Sequence, residues 1–320
     1  MQATPEFFHY GTIAFAVGIT SVSVGIGESL ASTAALQAIN TQPHVRSEIA
    51  RTAIIGMALV ETAAILGTVI AFMLLFSPRT LEPNYYMNLA ELGIALAMSI
   101  TGFVSGIVSA LPTRAACLAI ARQPFFSQKI TRLMLVTQSL LQGPIIFSFI
   151  IALIIKYQAI NAQTLGDSLR LIASGLCIGL GSIGPSIGLA IFAQNACRAL
   201  GINPQAYNKI LSFALISQTI IETPIIFSFV ISMALLVMVA TTDASTIQGI
   251  AFLAASLCTG FGMTGPGISS GKTAAAACKQ ITHNPETYSM LSRVSLFAQG
   301  LIETCAIYAV LISFLLILVK

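Results

Sequence analysis

The segment IET at residues 221–223 lies in the middle of a long apolar stretch and recurs at residues 302–304. A third copy, VET, occupies residues 60–62, and the equivalent place in the remaining unit holds LQG at residues 141–143. The central residue of this segment therefore falls at positions 61, 142, 222 and 303, which are 81, 80 and 81 residues apart. A fixed period of this kind indicates a tandem repeat.

Prolines give a second marker in the same register. Pro43, Pro124, Pro204 and Pro285 each stand 18 residues before the central position. Every unit has a long apolar segment, a short polar stretch with the proline, and a second long apolar segment. The pattern predicts four helical hairpins, over residues 1–80, 81–161, 162–242 and 243–320, of which the second lacks a carboxylate.

The composition is that of a membrane protein. Hydrophobic residues make up 56% of the chain and charged residues only 8%, whereas soluble domains have about 25% charged residues. The net charge of +4 is too small and scattered to indicate binding to nucleic acid. The first ten residues contain no Lys or Arg, so we expect a retained first helix rather than a cleaved leader.

Hydropathy predicts an all-α membrane protein with eight transmembrane helices. Each apolar segment exceeds the roughly 20 residues that a crossing requires. The predicted helices span 10–39, 47–76, 88–121, 128–156, 168–200, 207–239, 246–280 and 288–318.

The positive charges predict the orientation of these helices. Most of the 15 Lys and Arg residues lie in or beside the proline-containing stretches, which should therefore face the cytoplasm or its equivalent. Arg79, Lys156, Arg170 and Lys320 are the exceptions. Glycines concentrate in the first helix of each unit, as at Gly184, and let helices approach closely. This favours an inner ring of first helices with second helices outside.

Three glutamates are the candidates for chemistry. Glu61, Glu222 and Glu303 each lie about halfway along a second helix, where a charged side chain costs about 2.5–3.5 kcal/mol. An apolar setting favours the protonated carboxyl, which can release its proton where water reaches it. Gln142 cannot ionise, so its hairpin is expected to keep the geometry without transporting. The alternative is three structural carboxyls bonded to neighbouring groups.

Polar residues flank these glutamates. Gln218 and Gln299 stand one helical turn earlier on the same face. Amides and hydroxyls can bond a carboxyl or supply oxygen ligands to a hard cation. Glu28, in the first helix of the first unit, either faces Glu61 or bonds to nearby serines. The hydroxyls directly after the glutamates are those of Thr62, Thr223 and Thr304.

Two other motifs carry no site. Gly271-Lys272-Thr273 is similar to the end of a P-loop, but position 266 is Pro and no strand precedes it. The histidines lie scattered at polar helix ends, and no residues have the spacing of a metal site.

Together these features resemble the c subunit of F-type ATP synthase. That family has a two-helix hairpin with a glycine-rich first helix, a polar loop and a mid-membrane carboxylate. The loop Arg122-Gln123-Pro124 matches its loop motif, and the other loops resemble variants of it, at Gln42-Pro43, Asn203-Pro204 and Asn284-Pro285.

The resemblance implies a membrane rotor in an energy-coupling membrane such as a bacterial inner membrane. Copies of the chain would form a ring in the lipid, and the glutamates would carry H⁺ between two half-channels of the stator. The stator subunit, called subunit a, has an essential arginine. The polar loops would contact the central stalk. The chain would not be an enzyme on its own and would need no cofactor.

Several departures leave alternatives open. Fused hairpins are more familiar in V-type and A-type proteolipids. Sodium-carrying members resemble this chain at Glu303-Thr304 and Tyr308, and Glu28 occupies the place of their first-helix glutamine. Protons are favoured because the other units lack that ligand. With Gln142, the chain would carry three ions per four hairpins. A secondary transporter with internal repeats and a purely structural ring are the rival classes.

Overall fold

The computed structural model describes residues 5–77, 85–238 and 246–318 and contains no strand in these ranges. Eleven helices account for most of these residues: α1 (Pro5–Thr41), α2 (Arg46–Val60), α3 (Thr62–Leu75), α4 (Tyr85–Val108), α5 (Ala110–Arg122), α6 (Ser127–Leu140), α7 (Gly143–Ala159), α8 (Leu165–Ile202), α9 (Tyr207–Val237), α10 (Thr246–His283) and α11 (Tyr288–Ile317).

These helices make eight crossings, which confirms the predicted all-α fold. Within the described ranges, eight helical segments are long and apolar enough to span a membrane. Three of them are interrupted for one or two residues, between α2 and α3, α4 and α5, and α6 and α7. Pro112 and Pro144 follow two of these interruptions. A proline has no N–H to donate to the carbonyl one turn earlier, so the helix is interrupted there.

The four prolines of the repeat each begin a short 3₁₀ turn between two crossings. The turns span Pro43–Val45, Pro124–Phe126, Pro204–Ala206 and Pro285–Thr287. In each, the third residue donates its backbone N–H to the carbonyl of the residue before the proline, as from Phe126 to Gln123 at 3.1 Å. Proline suits this position because the N–H of the first residue in a helix has no acceptor within the helix, so its absence costs no hydrogen bond. The turns thus close all four hairpins in one way.

The first helices form an inner row and the second helices an outer row. Along the inner row, α1 packs on α4–α5, α4–α5 on α8, and α8 on α10. Each outer crossing packs on the first helix of its own hairpin and more lightly on the next outer crossing. The arrangement agrees with the predicted inner ring of first helices.

Glycines allow the close approach within the inner row. A Cβ built on Gly271 of α10 would overlap the Cα of Gly188 in α8, and one built on Gly175 would overlap the carbonyl of Gly93. Backbones can meet this closely only where side chains are absent. Packing of the first helices therefore depends on glycine at these contacts.

Polar contacts hold the ends opposite the proline turns, one between hairpins and one set within the third hairpin. Lys156 donates to the carbonyl of Met73 at 2.7 Å, and Arg170 donates to the carbonyls of Leu235, Leu236 and Met238. Both side chains thereby satisfy orphan carbonyls at the C-terminal ends of outer helices. Arg79 and Lys320 lie outside the described residues.

His9 corrects one expectation. The sequence predicts it at a polar helix end, but it is only 5% exposed and packs against the equally buried Glu91 of the second hairpin. Its Nδ1 lies 2.6 Å from the Glu91 carboxyl. A buried charge is tolerated when it is paired, so a contact across hairpins explains both residues.

Helix ends differ from prediction by a few residues. α1 begins at Pro5 rather than 10, and α8 at Leu165 rather than 168. At α8 a capping box extends the helix, because Thr164 and Asp167 bond each other's backbone N–H groups. The proposed hairpin boundary at 161–162 lies in the link before α8. Those at 80–81 and 242–243 fall outside the described residues.

Candidate ion-carrying site

The four central positions all lie on the outer row, at equivalent places in the second helices. Glu61 is exposed, Glu222 and Glu303 are half-buried, and Gln142 is buried, with 8% exposure. Glu61 and Gln142 stand where their helices are briefly interrupted, whereas α9 and α11 continue through Glu222 and Glu303. The three glutamates thus occupy equivalent positions on the outer row but differ in exposure.

The carboxyl of Glu222 packs against the preceding hairpin. A Cβ built on Gly143 would overlap Oε1 of Glu222 and would lie 3.3 Å from its Cδ. Gly143 directly follows Gln142, so it holds the place that a threonine holds in the other three hairpins. The glutamate of the third hairpin thus lies on a bare stretch of backbone.

Glu303 has the same relation to the third hairpin. Its carboxyl lies beside the hydroxyl of Thr223, which itself donates to the carbonyl of Thr219 at 3.3 Å. The Oε1 of Glu303 is buried and has no hydrogen-bond partner in the described part of the chain. A buried carboxyl oxygen without a partner is an acceptor that a proton or a cation could satisfy.

Glu61 belongs to the first of the four hairpins. The carboxyl of Glu28, in the first helix of the same hairpin, lies within electrostatic range of Glu61. The structure thus places Glu28 on the side of Glu61, which is one of the two alternatives that the sequence left open.

The glutamines one turn before the central position reach the preceding hairpin. Gln138 donates its amide to the carbonyl of Gly56 at 2.9 Å, and Gln218 donates to that of Thr137 at 3.0 Å. Gln299 lies 3.4 Å from the hydroxyl of Ser217. All three glutamines are fully buried. The sequence predicts that each glutamine shares a helix face with the central position of its own hairpin, but it does not reveal these contacts between hairpins.

The amide oxygens distinguish the second hairpin from the third and fourth. The Oε1 of Gln138 accepts from Thr113 at 2.9 Å. The Oε1 atoms of Gln218 and Gln299 are buried without a partner within the described ranges. A buried unpaired acceptor is costly unless a donor or ion reaches it. The free acceptors therefore occur in two hairpins that carry a glutamate.

The remaining supporting residues are placed as follows. Thr304 donates to the carbonyl of Leu301 at 2.7 Å, and Thr62 is half-buried beside Glu61. Tyr308 is 64% exposed on the outward face. These side chains are available at the surface of the outer row.

The polar turns lie at one end of the helix bundle, and their residues differ in exposure. Arg122, Pro43 and Asn284 are exposed, whereas Gln42, Gln123, Pro124, Asn203, Pro204 and Pro285 are half-buried. Phe125 is completely exposed at the tip of the second turn. The sequence analysis missed it, although a phenylalanine beside Pro124 in a polar stretch was the available signal.

Comparison with known proteins identifies the hairpins. The model of the family described as the ATP synthase C subunit matches residues 12–74, 92–155, 172–235 and 253–316. Each match covers one hairpin and includes its central position. The chain belongs to the ATP synthase C-subunit family.

Individual members of the family match one hairpin at a time. The ATP synthase c-subunit 2 of Cereibacter sphaeroides is 44% identical over 77 residues, which are 23% of this chain and 93% of that protein. The ATP synthase c-subunit of Dehalococcoides mccartyi is 40% identical over 70 residues, or 22% and 92% of the two chains. The protein is thus a tandem fusion of four c-subunit hairpins, and it is an integral, multi-pass membrane protein.

Proposed function

We propose that this chain is the rotor subunit of a rotary ATP synthase or ATPase and that Glu61, Glu222 and Glu303 carry H⁺ across the membrane. Each glutamate would load from one half-channel of the stator and release to the other. An arginine of the stator subunit a would separate the two half-channels. The ring's rotation would couple ion flow to ATP synthesis or hydrolysis in a soluble head.

The observation that carries this proposal is the equivalence of the three glutamates. They stand at one depth on the outer row of a family of ring-forming hairpins. A carrier must contact both the lipid and the stator, which would lie outside the ring, and the outer row of helices is the one on that side. The charged form is costly at this depth, so a glutamate in three of four hairpins needs a function.

The polar turns would contact the central stalk. These turns lie at the end of the helix bundle where most of the Lys and Arg residues are found. Their residues are Gln42, Pro43, Arg122, Gln123, Pro124, Asn203, Pro204, Asn284 and Pro285. Positive charge favours the cytoplasmic side. We therefore place these turns in the cytoplasm and the chain in a bacterial inner membrane or an equivalent energy-coupling membrane.

Sodium is the second candidate ion. Glu28 beside Glu61 and the free amide oxygens of Gln218 and Gln299 are oxygen ligands of the kind that a hard cation binds. Only the first hairpin, however, has a second carboxyl, that of Glu28, beside its central glutamate. Protons need no such ligand set and suit all three sites, so H⁺ remains the proposed ion.

Two alternatives stand beside this proposal, and only the second fits less well. A V-type or A-type complex would use the same rotor chemistry, and fusion of hairpins is compatible with it. A secondary transporter with inverted repeats would pair antiparallel units, whereas here all four hairpins run in one direction and turn at one end. A rotor of either complex type is therefore favoured over a transporter.

ATP-driven ion uptake by membrane vesicles tests the proposal. In a complex whose chain carries Glu61→Gln, Glu222→Gln and Glu303→Gln together, ATP should no longer drive H⁺ uptake. Glu48→Gln, which changes an exposed glutamate of α2, is the control and should leave uptake intact. Normal uptake by the triple variant would exclude these glutamates as carriers, and uptake of Na⁺ in place of H⁺ by the unchanged complex would identify sodium.

A further inference from the structure

Gly143 gives the second hairpin a role that its missing carboxylate does not suggest. An added Cβ at this glycine would overlap Oε1 of Glu222 and lie 4.0 Å from the ring of Phe147. We propose that Gly143 is a positioning residue, whose lack of a side chain admits the Glu222 carboxyl between the second and third hairpins. The inference rests on the proposed function of Glu222 as a carrier.

The fourth hairpin shows what a side chain does at the same place. There Glu303 lies beside Thr223, which is equivalent to Gly143 in the preceding hairpin. The contact is thus repeated between successive hairpins, but with a hydroxyl in one case and bare backbone in the other. The Thr223 hydroxyl can donate its one hydrogen either to Thr219 or to the Glu303 carboxylate, and donation to the carboxylate would change its reactivity.

Local structure opens the position further. The outer crossing of the second hairpin is interrupted at Leu141 and Gln142, and α7 restarts at Gly143 with Pro144 in its first turn. The Nε2 of Gln142 is buried and has no partner among the residues that the structure describes. Gln142 and Gly143 together therefore replace a carboxyl and a hydroxyl by an amide and bare backbone, against which the Glu222 carboxyl lies.

The consequence is that the three carriers, although they occupy equivalent positions, have different surroundings. Glu303 meets a hydroxyl, Glu222 meets glycine, and Glu61 lies beside Glu28. The second hairpin carries no ion itself but determines the surroundings of the next carrier. Gly143 and Glu222 act as a pair across the interface between hairpins.

Carbodiimide labelling of the assembled complex, with the rate at each glutamate read by mass spectrometry, tests this pairing. Glu222 and Glu303 should react at different rates in the unchanged chain. Gly143→Thr should bring the rate at Glu222 to that of Glu303, a change of roughly tenfold, as one hydrogen bond to a charged group can produce. Thr223→Gly should shift the rate at Glu303 the opposite way. An unchanged rate at Glu222 in Gly143→Thr would overturn the inference.

Gly300→Thr is the matched control. No other side chain or backbone atom of the described residues lies within 4 Å of a Cβ at Gly300. Its equivalents Ser139 and Thr219 stay exposed although both have hairpins on either side. This variant should leave all three rates unchanged.

Cysteine cross-linking separates failure of the inference from failure of the proposed function. Cysteines replacing Gly143 and Glu222 should be joined by a short bifunctional thiol reagent, and cysteines replacing Gly300 and Glu222 should not. If no glutamate labels in the unchanged chain, the carrier function fails, and the cross-link alone decides whether Gly143 and Glu222 meet. Absence of the 143–222 cross-link would refute the pairing even if all three glutamates label.

Discussion

The amide of Gln138 in the second hairpin donates to the backbone carbonyl of Gly56 in the first, with 2.9 Å between nitrogen and oxygen. Gln218 repeats this bond one hairpin later, to Thr137. Both amides are fully buried, so the bonds form where water cannot replace them. They join successive outer helices one turn below the central positions and so hold the carriers in register.

Gln138→Ala should lower the thermal stability of the purified protein in detergent. The substitution leaves the Thr113 hydroxyl and the Gly56 carbonyl without this partner, at a cost of about 1–3 kcal/mol. Gln128→Ala on the same helix removes an exposed amide and should change stability little. Equal melting temperatures for the two variants would show that the buried bond is not stabilising.

His9→Ala should destabilise the first two hairpins. It leaves the Glu91 carboxyl buried without the imidazole 2.6 Å away, and loss of one partner of a buried pair costs about 3–5 kcal/mol. Thermal unfolding in detergent measures the effect. Replacing both residues by Leu should recover much of the loss, and His44→Ala, at an exposed position, should have none. A double variant no more stable than His9→Ala would contradict the pairing.

The two ends of the chain are expected to join copies through glycines. Gly267 in the fourth hairpin packs on Gly184 in the third. The equivalents of this pair at the chain ends are Gly25 and Gly265, and nothing else in the described ranges lies within 4 Å of a Cβ at either. Successive copies that repeat the internal packing would bring Gly265 of one against Gly25 of the next.

Gly265→Leu should therefore impair assembly of the ring while the single chain stays folded. The added side chain would occupy the space into which the next copy packs. Native mass spectrometry of the detergent-solubilised protein distinguishes rings from single chains. Gly300→Leu, on the outward face, should assemble normally. Intact rings from Gly265→Leu would mean that copies meet through another face.

The spacing of the carriers predicts unequal effects of removing each one. In a head-to-tail ring, Glu61→Gln or Glu222→Gln places two neutral positions side by side, because Gln142 lies between them. Glu303→Gln leaves single neutral positions, each flanked by carriers. ATP-driven H⁺ uptake should therefore be highest in Glu303→Gln among the three single variants. Equal uptake in all three would argue that spacing around the ring is unimportant.

The sequence predicted the architecture because the relevant signals are local. Apolar length defines the eight crossings, and the prolines repeat in register with the central positions, so hairpins and turns follow directly. The inner position of the first helices could be predicted as well, since glycine at contacts such as Gly188 and Gly271 is a property of composition.

Contacts between hairpins could not be predicted in this way. Helical spacing puts Gln218 near the carboxyl on its own helix, yet its amide nitrogen bonds to Thr137, which is 81 residues away. His9 and Glu91 are likewise far apart in sequence. Periodicity shows which face a residue lies on, but the partner on the neighbouring helix depends on rotation and depth of packing. The contact of Glu222 with Gly143 belongs to the same class.

Carbodiimide labelling of the purified complex at varied pH and Na⁺ concentration, mapped by mass spectrometry, tests most directly whether the three glutamates carry ions. These reagents attack protonated carboxyls in apolar surroundings. Labelling at Glu61, Glu222 and Glu303 that slows as pH rises and does not respond to Na⁺ is the result expected for a proton rotor. Protection by Na⁺ at fixed pH would contradict the choice of ion, and absence of labelling at all three would contradict their role as carriers.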